Sequence, residues 1–210
     1  MNVVQNSQKK PSPRVGRDTL RERALDAARL ILETEGLKGL NARRLATEIG
    51  VAVGTLYNLF ENFDEIILRL NLETLQEMEA HFAARAVLPK DPTEAVLAIA
   101  REYLAFTARH RNRWTATLEF KSGGPHRFTE EFPASVSRLV AEVERAMAPL
   151  FPPGQESGRR LAAAVLWSSL EGISTLTAAD NLHMVAPTTA WDMAQSLVVN
   201  YMAGLKQKQK

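Results

Sequence analysis

The chain of 210 residues contains no cysteine, which excludes a disulfide framework, a thiolate metal site and a thiol nucleophile. That suits a reducing compartment, and a cytoplasmic location is the expectation. An excess of one charge is also lacking. The 26 Lys and Arg against 24 Asp and Glu leave a formal +2, so nothing marks the whole molecule as polyanion-binding. The N-terminus has no apolar stretch, so no signal peptide is expected. A single long run is poor in charge, residues 161–179 (LAAAVLWSSLEGISTLTAA). Glu171, Gly172 and several serines and threonines interrupt it, so it reads as a buried bundle helix and no membrane partner is expected. The histidines His81, His110, His126 and His183 show no metal-ligand spacing, and no phosphate loop or nucleophile-base pair is present. No cofactor is expected, and the chain does not read as an enzyme.

What is present is a globular balance of 45% hydrophobic and 24% charged residues, with enough length for a sizeable core. No stretch alternates as a strand. Apolar residues recur at helical spacing along the chain, which predicts an all-α fold of about nine helices. Thr19 and Glu22 form a capping box for the first helix, which Gly36 stops, and Asn62 with Glu65 opens another. Asp91-Pro92-Thr93-Glu94 starts a further one.

Residues 40–60, LNARRLATEIGVAVGTLYNLF, have the spacing of a helix-turn-helix. Asn41 is a good N-cap, and Leu45, Ala46 and Ile49 form a buried face. Gly50 can take the left-handed conformation that ends the helix, with Val51 plugging the turn. In the second helix Leu56 and Phe60, at i,i+4, point to the core. Val53, Gly54, Thr55, Tyr57, Asn58 and Leu59 are left facing outward, the geometry used to enter a major groove.

Residues 21–68 resemble the DNA-binding domain of the TetR (tetracycline repressor-like) family of bacterial transcription regulators. RERALDAARLILETEG, the helix-turn-helix above and ENFDEIIL carry the likeness. The resemblance implies that Thr55 and Asn58 approach bases, that Arg43 and Tyr57 approach phosphates, and that Gly54 lets the backbone come close. Tyr57 could instead brace the two helices, and Arg43 and Arg44 could belong to a solvated face. Ala52, Val53, Leu59 and Phe63 depart from the family pattern, removing a cap, a phosphate contact and a cation. Affinity is therefore expected to lean on an N-terminal arm, with Val53 and Leu59 reaching thymine methyls.

The resemblance also implies an organisation: a flexible basic arm (1–16), a three-helix helix-turn-helix domain (17–64), a helical bundle for effector binding and dimerisation (65–205) and a polar tail (206–210). The arm begins a local basic excess of Lys9, Lys10, Arg14, Arg17, Arg21 and Arg23. A dimer would place two recognition helices about 34–36 Å apart on an inverted-repeat operator. Ala162, Val165, Ser169, Gly172, Ile173 and Leu176, with Met193, Leu197 and Val198, form the candidate dimer face; intramolecular core is the alternative. Phe82, Tyr103, Phe106, Trp114, Phe120, Met147 and Trp167 are candidate lining for a largely apolar small-molecule effector, or simply core. Glu171 is either a polar anchor for that effector or a carboxylate paired with an arginine at the bundle rim. Arg109, His110, Arg111 and Arg113 read as a solvated turn.

The expected function is that of a dimeric, sequence-specific transcription regulator, a repressor released from its operator by a small molecule. Two alternatives stay open. One is an architectural, nucleoid-associated DNA-binding protein without a ligand. The other is a helical-bundle enzyme using Glu171 or Glu119 with a histidine.

Overall fold

A computed structural model describes residues 16–85, 87–120 and 130–207. Every regular element among these residues is helical: α1 (Arg17–Gly39), α2 (Ala42–Glu48), α3 (Val53–Leu59), α4 (Phe63–Ala83), α5 (Pro92–Arg109), α6 (Arg111–Glu119), α7 (Glu131–Met147), α8 (Glu156–Ala178), α9 (Leu182–Val185) and α10 (Ala190–Gln207). A short 3-10 turn follows α7. The predicted nine helices become ten because the four-residue α9 is too short to show a helical period.

Capping explains most boundaries. Asn41, Asn62 and Asp91 each accept backbone N–H bonds at the start of α2, α4 and α5, as their residue types predict. At α10 the Thr189 hydroxyl accepts from the Asp192 N–H. The Thr19–Glu22 expectation fails: α1 begins three residues earlier, after Gly16, with no side-chain cap. Gly36, at φ 69° and ψ −168°, does break α1.

Two hydrophobic clusters form. The first joins Ala24, Leu25, Ala28, Ile31 and Leu32 of α1 to Leu45, Ala46, Ile49, Leu56, Leu59 and Phe60 of the helix-turn-helix, and takes Ile66, Ile67 and Leu70 from α4. The second begins on the same helix with Leu75, Met78 and Phe82 and gathers α5, α7, α8 and α10. Thus α4 is rooted in both, which makes it the rod connecting the head to the bundle. Helix α8 is long and apolar enough to cross a membrane, yet it packs against α5, α7 and α10. Its inward residues Ala162, Ala163, Leu166, Leu170 and Ile173 belong to the bundle core.

Candidate nucleic-acid interface

The turn between α2 and α3 is built as its sequence dictates. Gly50 has φ 72°; its N–H donates to Thr47 O at 3.1 Å and the Val51 N–H to Ala46 O at 2.9 Å. This pair of bonds closes a helix only around a left-handed residue, where glycine carries no Cβ penalty. The chain then leaves α2 at the angle α3 needs.

The seven-residue α3 turns Leu56, Leu59 and Phe60 inward, at 2%, 4% and 3% exposure. Positions i, i+3 and i+4 share one helix face, so Leu59 belongs to the core. Its expected outward position and thymine contact are corrected accordingly. Val53 is half-buried against the same cluster, leaving part of its side chain outside. Gly54 and Asn58 are exposed, Thr55 is half-buried, and Tyr57 is 53% exposed. A tyrosine so open does not brace the helices. Nothing lies within 4 Å of where a Gly54 Cβ would stand, so the first turn of α3 is open to close approach. No side chain caps that turn, since Ala52 has none to offer.

On α2, Arg43 is exposed, with no ion-pair partner among the described residues. Arg44 pairs through both guanidinium nitrogens with Glu35 and is committed to α1. The other arginines of the basic excess hold the head together. Arg17 donates to Asn58 O at 2.9 Å and Arg23 to Ile49 O at 3.4 Å. Arg21 donates to Leu59 O and to Glu65 at 2.5 Å, and lies 4.5 Å over the Phe60 ring. These guanidinium groups meet the C-terminal carbonyls of α2 and α3, where the helix dipole favours a cation. Sequence spacing gave no signal for this, because the partners lie 26 to 41 positions away. Lys9, Lys10 and Arg14 lie outside the described residues, as does His126.

Arg21→Ala removes a carbonyl cap, an ion pair and a ring contact at once. It is expected to lower stability by about 2 kcal/mol in denaturant unfolding, well beyond the effect of Arg44→Ala. Equal losses would show that Arg21 does not anchor α3.

In the bundle, Phe82, Tyr103, Phe106, Trp114 and Met147 are buried in the second cluster, and Trp167 packs partly buried against it. Phe120 belongs elsewhere: it packs on the first cluster, because α6 ends against α1. Four of the candidates do meet. The Tyr103 hydroxyl donates to Glu171 Oε2 at 2.8 Å and Trp114 Nε1 to Oε1 at 3.1 Å. The Trp167 ring stands 5.2 Å from that of Tyr103. Glu171 therefore has neutral aromatic donors in place of the arginine considered from sequence. Burial pushes its carboxyl above the ordinary glutamate value, against the pull of those two bonds. Burial and the charge of Glu171 push the Tyr103 hydroxyl well above its usual range.

Between the clusters lies a polar seam that sequence reasoning missed. Arg113 is 7% exposed, not part of a solvated turn. It donates to Thr74 Oγ1 at 3.2 Å and pairs with Glu77 at 2.6 Å and Glu33 at 3.4 Å. Asn112 donates to Glu33 O at 2.8 Å, and Asn71 to Ala116 O at 3.2 Å. Arg109 and Arg111 are exposed. Helix α6 is thereby tied to α1 and α4 on one side and, through Trp114, to α8 on the other.

The residues expected to form a dimer face divide between the inside and the outside of the chain. Ala162, Ile173 and Val198 are in the molecule's own core at 3%, 7% and 0% exposure, while Ser169, Leu176, Met193 and Leu197 are half-buried. Val165 and Gly172 remain outside. The exposed stripe of α8 runs through Leu161, Ala164, Val165, Ser168, Gly172 and Thr175, and on α10, which packs against α8, Val199 and Ala203 are exposed as well.

A helix-turn-helix with an open recognition face, carried on a long helix into an α-bundle, defines a DNA-binding regulator. Residues 24–70 match the family described as bacterial regulatory proteins, tetR family, and residues 96–200, half of the chain, match the tetracyclin repressor-like C-terminal domain. The chain belongs to the TetR family of transcription regulators. It is 24% identical over 156 residues to an uncharacterised HTH-type transcriptional regulator of Mycobacterium tuberculosis, covering 74% of this chain and 69% of the relative. A protein of unknown function from Rhodococcus sp. RHA1 shares the fold with a TM-score of 0.70 and 21% identity, over 94% of this chain and 100% of that one. A transcriptional regulator FadR from Bacillus subtilis, solved with stearoyl-CoA, does so with a TM-score of 0.58 and 18% identity, over 87% and 98%.

Proposed function

We propose that the protein is a cytoplasmic homodimeric repressor that holds an inverted-repeat operator and releases it when a small, largely apolar effector enters the bundle. The head, residues 17–64, reads DNA, and residues 65–205 bind the effector and the second subunit. Arg43 and Tyr57 reach phosphates, the backbone at Gly54 approaches closely, and Thr55 and Asn58 read bases, with part of Val53 beside them. One observation carries this: the outward side of α3 is open, while arginines of α1 fix its far end. The exposed small and apolar stripe of α8 and α10 supports the dimer, since such a stripe allows close helix approach.

Release follows from α6. Trp114 faces the Glu171 cluster, and its neighbours Arg113 and Asn112 hold α4 and α1. A ligand that prefers a displaced α6 changes the spacing of the two heads, by no more than its difference in affinity for the two states. FadR's complex with stearoyl-CoA shows that one protein of this fold takes an acyl ligand, and the apolar core here suits a lipophile.

Selection from random duplexes tests the proposal. The expected result is an inverted repeat with half-sites about one helical turn apart and with loss of binding on Tyr57→Ala. Recovery of no common sequence, with binding spread evenly over all duplexes, would contradict it and favour an architectural role.

A further inference from the structure

We propose a second ligand site, outside the bundle interior, that takes a small organic phosphate with a hydroxylated body, of the sugar-phosphate class. The basic turn RHRNR, residues 109–113, borders a cavity of about 560 Å³ where the head meets the bundle. Glu33 of α1 lines one side. Arg109 at the end of α5, His110 between the helices, and Arg111, Asn112 and Arg113 at the start of α6 line the rest. The volume falls in the range of small-molecule sites, about 300–1,000 Å³, and a bare phosphate ion would fill only part of it.

Charge selects an anion. The lining holds three guanidinium groups against one carboxylate. Arg109 and Arg111 are exposed, with no ion-pair partner among the described residues. Arg113 is held by Glu77 at 2.6 Å, while its contact with Glu33 is long, at 3.4 Å. Helix α6 opens at the same cavity with no side-chain cap, so the positive end of its dipole adds to the guanidinium charges. Guanidinium forks match phosphate oxygens in geometry as well as in charge.

The lining also selects the body of the ligand. Every lining side chain is charged or polar, so a lipophile gains nothing here, whereas hydroxyl groups find donors and acceptors. Burial, with Arg113 and Arg109 nearby, holds the His110 imidazole below the ordinary histidine value against the pull of Glu77. The neutral ring then has one donor and one acceptor nitrogen. Concavity favours a small molecule over the backbone of a duplex. Because Glu33 belongs to the head and the other five residues to the bundle, a ligand here bonds both parts at once.

Calorimetric titration of the full chain with glucose 6-phosphate and ribose 5-phosphate, against glucose, ribose and inorganic phosphate, tests the proposal. At least one sugar phosphate is expected to bind saturably and more tightly than inorganic phosphate, and neither parent sugar is expected to bind. Arg109→Gln combined with Arg111→Gln should weaken that binding roughly tenfold or more. Glu33→Gln removes the one negative charge of the lining while Arg113 keeps Glu77, and should tighten binding about two- to fivefold. A purely structural role for Glu33 gives no such gain. Absence of binding by both sugar phosphates, equal binding of a parent sugar or of inorganic phosphate, unchanged affinity in the double arginine variant, or no gain in Glu33→Gln would each overturn the proposal. So would loss of operator affinity in the arginine variant without any sugar phosphate binding, which would give these arginines to the DNA backbone. The site is separate from the bundle interior, so none of these results bears on the effector reading above.

Discussion

Val165→Arg combined with Val199→Arg yields a folded monomer that binds the operator roughly a hundredfold or more weakly than the wild type. Both valines are exposed, at 39% and 43%, so an arginine there disturbs the isolated chain little, within about 0.5 kcal/mol for each surface change. In a dimer built on the α8–α10 stripe, however, four guanidinium groups are brought together across a mostly small and uncharged surface. Losing the partner turns a two-site grip on DNA into a one-site grip, and the gain from effective concentration disappears. Sedimentation of the variant and its binding to one- and two-half-site duplexes provide the check. A variant that stays dimeric and retains operator affinity would place the interface elsewhere.

Arg113→Met yields a repressor that keeps its operator and responds poorly to ligand. The methionine replaces the aliphatic stem of Arg113 while removing its bonds to Thr74, Glu77 and Glu33. Both glutamates are 44% exposed and can return to water, so the fold tolerates the change. The charged part of the tie from α6 to α4 and α1 is lost, while the bonds of Asn112 to Glu33 O and of Asn71 to Ala116 O remain. Coupling between two sites is typically about 1–3 kcal/mol, so a ligand that releases the wild type about fiftyfold should release the variant about fivefold or less. The check is operator affinity with and without any ligand that releases the wild type. An unchanged ratio would show that the signal bypasses Arg113.

The head was legible in the sequence because local rules fix it. Asn41, Gly50 and Asn62 act within three to five positions of themselves through capping and turn geometry. Leu59 was misplaced because a short helix buries i, i+3 and i+4 alike, and the i+4 pair alone was counted. In α8 the difficulty was symmetry. Ala162, Ile173 and Leu166 face inward while Leu161, Val165 and Gly172 face outward, and both sets are small or apolar. Periodicity establishes that such a helix has faces, but not which one the molecule keeps for itself. Arg113 and the α1 arginines that hold α3 were invisible for another reason: their partners are distant in sequence, and a charged residue in a basic stretch looks the same whether it is paired or solvated. Glu171 stood out as a lone charge, yet only the packing of α5 and α6 reveals that its partners are neutral.

Hydroxyl-radical footprinting of the wild-type protein on the selected duplex, with the mass of the complex measured in parallel, tests the central claim most directly. Two protected half-sites on one face of the helix, about 10 base pairs apart or a multiple of that, held by two copies of the chain or a multiple of two, are the predicted result. A single protected site occupied by one copy, or protection with no preferred position, would contradict it.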